Sequence, residues 1–268
     1  MDTQYIDDMR YVSSLTVAAY HETIEKSGQL HIQQKGIRDL VTSLDFAIEN
    51  YIVANIQRDF PDDAIIAEET HHHILTDKRT WVIDPIDGTV NFARGFPFFG
   101  VQVALMVNKE PVASSIYLPA LKEHYTACLG GGSFLDGRRI AAGSHKSVGE
   151  AILTIGDFGT DQQGDIARQI KGMKSLAGDV LKIKMFGAAC YDFVTLARGI
   201  SDIVVMFDFG LWDIMPGLLI AREAGVTFRT LTGNPLNEHA KNLVGSNNPT
   251  LVDFVISKFE ACGILQAN

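Results

Sequence analysis

The chain has 268 residues, 46% hydrophobic and 21% charged, an ordinary globular composition with length enough to bury a large core without staples. Its three cysteines (Cys128, Cys190, Cys262) are odd in number, widely spaced and without a CxxC pair, which argues against a disulfide framework or zinc cluster and fits a reducing cytosol. A net charge of −9 leaves no basic footprint for nucleic acid, no apolar run reaches the roughly 18 residues of a membrane helix, and the early acids Asp7 and Asp8 do not suit a secretory leader, so the expected location is cytoplasmic.

In chain order, residues 4–27 carry helical spacing through Ile6, Met9, Val12, Leu15, Ala18 and Ala19, with Gly28 as the stop. Ser27 to Arg38 is polar and reads as a mobile loop or hairpin. A second helix is expected from Thr42 to Phe60, followed by Pro61. Strands are expected at 64–67, 80–84, 99–107, 111–118 and 123–128, with Asn108-Lys109-Glu110 turning a hairpin. Gly130-Gly131-Gly132 reads as a turn, because no Gly-Lys-Ser/Thr follows it. The second half alternates: strand Ala151–Gly156, helix Gln162–Leu176, strand Leu181–Phe186, helix Ala188–Arg198. Strand Asp202–Phe207, helix Asp213–Ala224, strand Val226–Arg229 and helix Pro249–Cys262 complete it. Interleaved strands and helices indicate an α/β fold in layers. A boundary is expected near residues 143–149, dividing one domain, 1–268, into parts 1–145 and 146–268.

An acidic protein repels a phosphorylated substrate unless bound cations reverse the local field. The residues that would hold such cations fall in three places. Trp81-Val82-Ile83-Asp84-Pro85-Ile86-Asp87-Gly88-Thr89 is an apolar strand ending in two carboxylates three residues apart. Pro85 interrupts the ladder, Gly88 permits a tight turn, and the Ile86 carbonyl is exposed to join as an oxygen ligand. The amides of Gly88 and Thr89 offer a cradle for phosphate oxygens. Ala64-Ile65-Ile66-Ala67-Glu68-Glu69 ends a second apolar strand in acids, and parallel pairing would set Glu68 beside Asp84. Asp213 opens a later helix and fits an N-cap. Taken singly, these residues suit an acidic surface turn, a solvated glutamate pair and a cap; together they suit a two-metal site.

Together they resemble the inositol monophosphatase family. The resemblance rests on Glu68-Glu69-Thr70, on Asp84-Pro85-Ile86-Asp87-Gly88-Thr89, on Trp212-Asp213 with Glu223-Ala224-Gly225, and on Lys35 through Asp45, and it extends over residues 5–260. It implies an alternating layered α-β-α-β-α sandwich of the sugar phosphatase type, a homodimer, two or three Mg²⁺ ions and sensitivity to Li⁺. Carried onto this chain, Glu68, Asp84 and the Ile86 carbonyl hold one metal, and Asp84, Asp87 and Asp213 hold another. A third, weaker ion leans on Glu68. Thr89 and Asp45 orient and deprotonate the attacking water, with Glu68 as a further catalytic residue. The Gly88 and Thr89 amides bind the phosphate, Lys35 lies near it or the nearby metal, Asp87 and Asp213 also bind the substrate, and Gly187, Ala188 and Ala189 meet its alcohol portion. The implied reaction is hydrolysis of a small polyol or sugar phosphate by metal-activated water without a covalent intermediate, inositol 1-phosphate first. Histidinol phosphate, fructose 1,6-bisphosphate and a nucleotide 3′-phosphate are alternatives, as is a regulatory binding protein with residual activity.

Two positions depart from the pattern. Inositol-specific members carry a Glu seven residues before the Trp-Asp aspartate; here that residue is Met206, with Asp208 the nearest acid. Pro216 stands where small residues usually follow, and is expected in the first turn of its helix. His71-His72-His73 is read as a polar surface loop, Cys190 as a buried small hydrophobe, and Phe96-Pro97-Phe98-Phe99 as a core or subunit contact.

Overall fold

The computed structural model describes residues 3–26, 31–36, 39–143, 146–158 and 165–263. Parts of the expected loop (27–30, 37–38), of the expected boundary (144–145) and of the expected helix start (162–164) lie outside them. The opening helix α1 (Thr3–Ile24) buries Val12, Leu15 and Ala19 on one face. The polar stretch after it contains a hairpin, β1 (Ile32–Gly36) with β2 (Asp39–Thr42). Helix α2 (Ser43–Asp59) starts from a capping box, in which the Leu44 N–H donates to the Thr42 hydroxyl and the Thr42 N–H to the Asp45 carboxylate.

Strand β3 (Ala64–Ala67) runs parallel to β4 (Thr80–Asp87), with Ala67 opposite Ile83. After the short helix α3 (Thr89–Arg94) come β5 (Gly100–Val107), β6 (Glu110–Leu118) and β7 (Glu123–Cys128), a meander turned where the sequence signals placed it. Two further strands, β8 (Gly132–Leu135) and β9 (Arg138–Ile140), were not expected; each is too short to show alternation. These strands make one seven-stranded sheet in the order β3-β4-β5-β6-β7-β8-β9.

The second half holds β10 (Ile152–Ile155), α4 (Asp165–Leu176), β11 (Lys182–Lys184), α5 (Ala189–Ala197) and β12 (Ile203–Phe207). It continues through α6 (Leu211–Glu223), β13 (Thr227–Arg229), β14 (Asn242–Ser246) and α7 (Pro249–Ala261). Its strands form a five-stranded sheet, β11-β10-β12-β14-β13. β14 escaped the sequence reading because Gly245 interrupts it. That glycine is required, since a Cβ there would strike the Phe228 ring on β13.

Three cores separate five layers. Helices α1 and α2 cover the outer face of the large sheet with Trp81, Ile83, Val101, Val103 and Leu105. Helices α5 and α6 lie between the sheets, against Val82, Ala104 and Ile116 on one side and Val204 and Leu243 on the other. Helices α4 and α7 close the far face of the small sheet over Leu153, Ile155, Val205 and Val244. This is the expected α-β-α-β-α order, and each sheet is buried on both faces by apolar side chains.

Helix α6 differs from its expected form. It begins at Leu211, so Asp213 lies inside the first turn and Gly210 occupies the N-cap. Pro216 is consequently in the helix interior, where it removes the donor that the Trp212 carbonyl would take.

Candidate active site

The site forms where strand ends of the large sheet meet the starts of α5 and α6. Parallel pairing carries Glu68 just past β3, where its N–H donates to the Ile83 carbonyl at 3.2 Å. Asp84 follows Ile83 directly, so the two acids emerge side by side. On the other flank of β4 the register slips between Asp84 and Asp87: Asp84 faces Gln102, but Asp87 faces Gly100. Pro85 sits in this one-residue bulge, which turns both carboxylates toward the same cavity. Gly88 then adopts a left-handed conformation, φ 83°, and a Cβ there would lie 2.9 Å from both Ala188 Cβ and the Phe98 carbonyl. Only glycine satisfies both demands.

Each acid is held by its surroundings. Gln102 donates to Asp84 Oδ2 at 3.1 Å. Asp87 accepts the Cys190 N–H, acting as the acceptor for the start of α5, whose own N-cap Ala188 has no side chain to offer. Asp213 accepts the Gly210 N–H within its own helix turn. Lys35 on β1 approaches Glu68 at 3.5 Å and Glu69 at 2.9 Å. Glu49 of α2, fully buried, accepts the Glu69 N–H at 2.8 Å and the Thr70 hydroxyl, fixing the loop that presents Glu68.

One oxygen from each of Asp84, Asp87 and Asp213 lies within 4.8 Å of the others. Glu68, Ile86, Gly88, Thr89, Gly187 and Asp157 line the same cavity of about 210 Å³. Of the turn Gly187–Ala189, Gly187 reaches the cavity, while Ala188 and Ala189 are buried beneath it. Thr89 Oγ1 stands 3.2 Å from Asp45 Oδ1 and 2.9 Å from the Ile86 carbonyl. A larger cavity of about 380 Å³ lies beside Trp212, lined by His73, Lys109, Glu238, His239, Lys241 and apolar groups, without Glu68, Asp84, Asp87 or Asp213. His72 and His73 are exposed and Cys190 is fully buried, as the sequence suggested, whereas His71 is half-buried with its Nδ1 3.7 Å from Glu49 Oε1.

Burial and like charges raise the acids. Desolvation lifts the Glu68 carboxyl to about 8, partly offset by Lys35 and reinforced by Asp213. Desolvation likewise holds Asp84 well above the usual carboxylate range, with Glu68, Asp87 and Asp213 adding repulsion. Asp45 rises to about 6, again mainly through burial, although Thr42 and Thr89 donate to it. Asp84 Oδ1 is buried without a hydrogen-bond partner among the described residues. An orphaned carboxylate oxygen, a set of oxygen-only donors and mutual repulsion all fit a hard divalent cation.

Three contributors were invisible in the sequence: Gln102, Glu49 and Asp157. None belongs to a local motif, and only the fold brings each to the site. Asn91 is a fourth. Its amide donates to the Phe98 and Phe186 carbonyls, both at 2.7 Å, tying α3 to the Gly187 turn.

Solved structures share the whole architecture. An IMPase of Thermotoga maritima is 29% identical, with a TM-score of 0.85 over 96% of this chain and 98% of the other. The suhB protein of Bartonella henselae is 26% identical, with a TM-score of 0.86 over 95% and 98%. Such a fold around such a carboxylate centre defines a phosphoric monoester hydrolase of a metal-dependent kind. The chain belongs to the inositol monophosphatase family, whose model matches residues 8–263. It is 32% identical to inositol monophosphatase 3 of Solanum lycopersicum, over 84% of this chain and 90% of that one. It is also 32% identical to a fructose-1,6-bisphosphatase/inositol-1-monophosphatase of Aquifex aeolicus, over 88% and 87%. Among the described residues no helix is long and apolar enough to cross a membrane.

Proposed function

We propose that the protein is a Mg²⁺-dependent phosphatase of small polyol or sugar phosphates, with inositol 1-phosphate as the first candidate substrate. The observation that carries this reading is the approach of Asp84, Asp87 and Asp213 to within 4.8 Å, in the cavity that Glu68 also lines. Glu68, Asp84 and the Ile86 carbonyl would hold one ion, and Asp84, Asp87 and Asp213 a second. Bound Mg²⁺ supplies positive charge against the phosphate and polarises water.

The chain's own groups do the rest. The Gly88 and Thr89 amides receive phosphate oxygens at the start of α3. Asp45, buried and fixed by Thr42, takes the hydrogen bond of the Thr89 hydroxyl. That leaves a Thr89 lone pair for the attacking water and gives its proton a route toward Asp45. Lys35 adds a cation beside Glu68. Catalysis of this kind is positioning and charge stabilisation, with no covalent protein intermediate. The protein acts as a cytoplasmic homodimer in this reading, without nucleic-acid or membrane partners.

The test is phosphate release by the purified protein with and without Mg²⁺. The panel comprises inositol 1-phosphate, histidinol phosphate, fructose 1,6-bisphosphate and a nucleotide 3′-phosphate. Mg²⁺-dependent turnover with inositol 1-phosphate leading is expected. No metal-dependent release from any member would end the proposal.

A further inference from the structure

We propose that Asp157 selects the substrate by accepting hydrogen bonds from donor groups on its alcohol portion. This rests on the phosphatase reading of the neighbouring carboxylates and goes beyond it, to what the cavity admits.

Strands β10 and β12 run in parallel, with Ile155 opposite Val205. The Gly156 N–H donates to the Val205 carbonyl at 3.0 Å, so the chain follows β12 one residue beyond the strand. Gly156 is there because Met206 fills the space beside it: a Cβ would sit 2.8 Å from Met206 Sδ and 3.0 Å from Cε. Met206 is 5% exposed, belongs to the central core and does not line the cavity. The next residue, Asp157, is exposed and does line it, with Gly88, Thr89, Gly187 and Asp213. The small sheet thus contributes one acid to the cavity from the C-terminal end of a parallel strand, where α/β sheets gather ligands.

Asp157 lies outside the trio of aspartates whose oxygens approach within 4.8 Å. It is close enough for its charge to add to the raised carboxyl of Asp87, a shift dominated by burial. Among the described residues no side chain pairs with it by hydrogen bond or salt bridge. An ionised carboxylate only accepts, so its partners must be donors. With phosphate against Gly88 and Thr89, the alcohol portion extends along the wall that holds Gly187 and Asp157. The groups that satisfy Asp157 there are hydroxyls of a polyol or the ammonium of an amino alcohol.

The experiment compares the wild type with Asp157→Ala and Asp157→Asn on inositol 1-phosphate, histidinol phosphate and p-nitrophenyl phosphate, the last lacking donors on its alcohol side. The readout is each kcat/KM divided by that for p-nitrophenyl phosphate, with Mg²⁺ affinity followed by calorimetry. In Asp157→Ala the ratio for the preferred donor-bearing substrate should fall about 10- to 100-fold, the worth of a hydrogen bond to a charged group. Mg²⁺ affinity should stay within about twofold. Asp157→Asn separates the two donors, since its amide oxygen still accepts from hydroxyls but lacks the charge an ammonium needs. Unchanged ratios with normal Mg²⁺-dependent turnover would overturn the role of Asp157 and leave the phosphatase reading standing. A wild type without metal-dependent turnover on any substrate would remove both.

Discussion

The carboxylate of Asp87 accepts the backbone N–H of Cys190, 103 residues further along the chain. One side chain thereby closes the large sheet onto the first turn of α5 and faces the carboxylate-lined cavity. The start of α5 is a positive dipole end with unsatisfied donors, and Asp87 supplies the acceptor its N-cap alanine lacks. Asp87→Ala should therefore be less stable than Asp87→Asn by about 1 kcal/mol in metal-free buffer, because the amide still accepts the Cys190 N–H. Both variants lose the same charge, so the comparison isolates the hydrogen bond. Urea melts in EDTA measure it, and equal midpoints would show that the contact contributes nothing.

Asp84 gives the opposite sign. Fully buried among Glu68, Asp87 and Asp213, it is strongly disfavoured in its ionised form when no cation is present. Asp84→Asn removes that cost and keeps an amide that can pair with Gln102. The metal-free variant should melt no lower than the metal-free wild type. Mg²⁺ should raise the wild-type melting temperature by mass action and leave the variant's unchanged, with nearly all turnover lost. Normal Mg²⁺-supported activity in this variant would refute the metal assignment.

Much of this site was legible because its acids are local signals. An apolar strand ending in Asp-Pro-Ile-Asp-Gly fixes two carboxylates by short-range geometry, and the Ala64–Ala67 strand does the same for Glu68. Asp213 was picked out as a candidate ligand but misplaced on its helix: Gly210, which offers no side-chain cap, takes the N-cap, and α6 starts two residues earlier. Gln102 was illegible because its task comes from register, opposite Asp84 across β4 and β5. Glu223 was seen only as part of a motif. In the fold its carboxylate receives the N–H groups of Gly130 and Gly132 at 2.8 and 2.7 Å, so the glycine turn does cradle an anion, one belonging to the protein. Strands β8, β9 and β14 were missed because they are short or carry a glycine demanded by a distant ring.

A metal-ligand role for Glu68 makes metal uptake pH-dependent. Burial raises its carboxyl to about 8, so the metal-free protein holds this proton at pH 7 and must release it to bind a cation. The raised value favours the protonated fold: the cost of ionising Glu68 appears as pH climbs from the ordinary glutamate range toward 8. Mg²⁺ affinity should accordingly rise between pH 6 and 8. Calorimetry in buffers of different ionisation enthalpy should report net proton release. An affinity flat across that range, with no buffer dependence, would count against Glu68 as a ligand.

Thr89 and Asp45 share the last prediction. In the proposed mechanism the single Thr89 proton goes to an ionised Asp45, which leaves the hydroxyl lone pairs for the water. Burial raises Asp45 to about 6, and cations in the cavity pull it lower, so kcat should fall on the acid side at or below pH 6. Asp45→Asn reverses the contact. Its amide oxygen must serve the two Thr42 donors, which turns its NH₂ toward Thr89 and drives the Thr89 proton to the Ile86 carbonyl. Asp45→Asn and Thr89→Ala should each lower kcat by about 10² with little change in Mg²⁺ affinity, and the double variant should be no worse than either, because the two act as one unit. Additive losses in the double variant would separate the pair, and a collapse of Mg²⁺ affinity in Thr89→Ala would move Thr89 from water activation to metal binding.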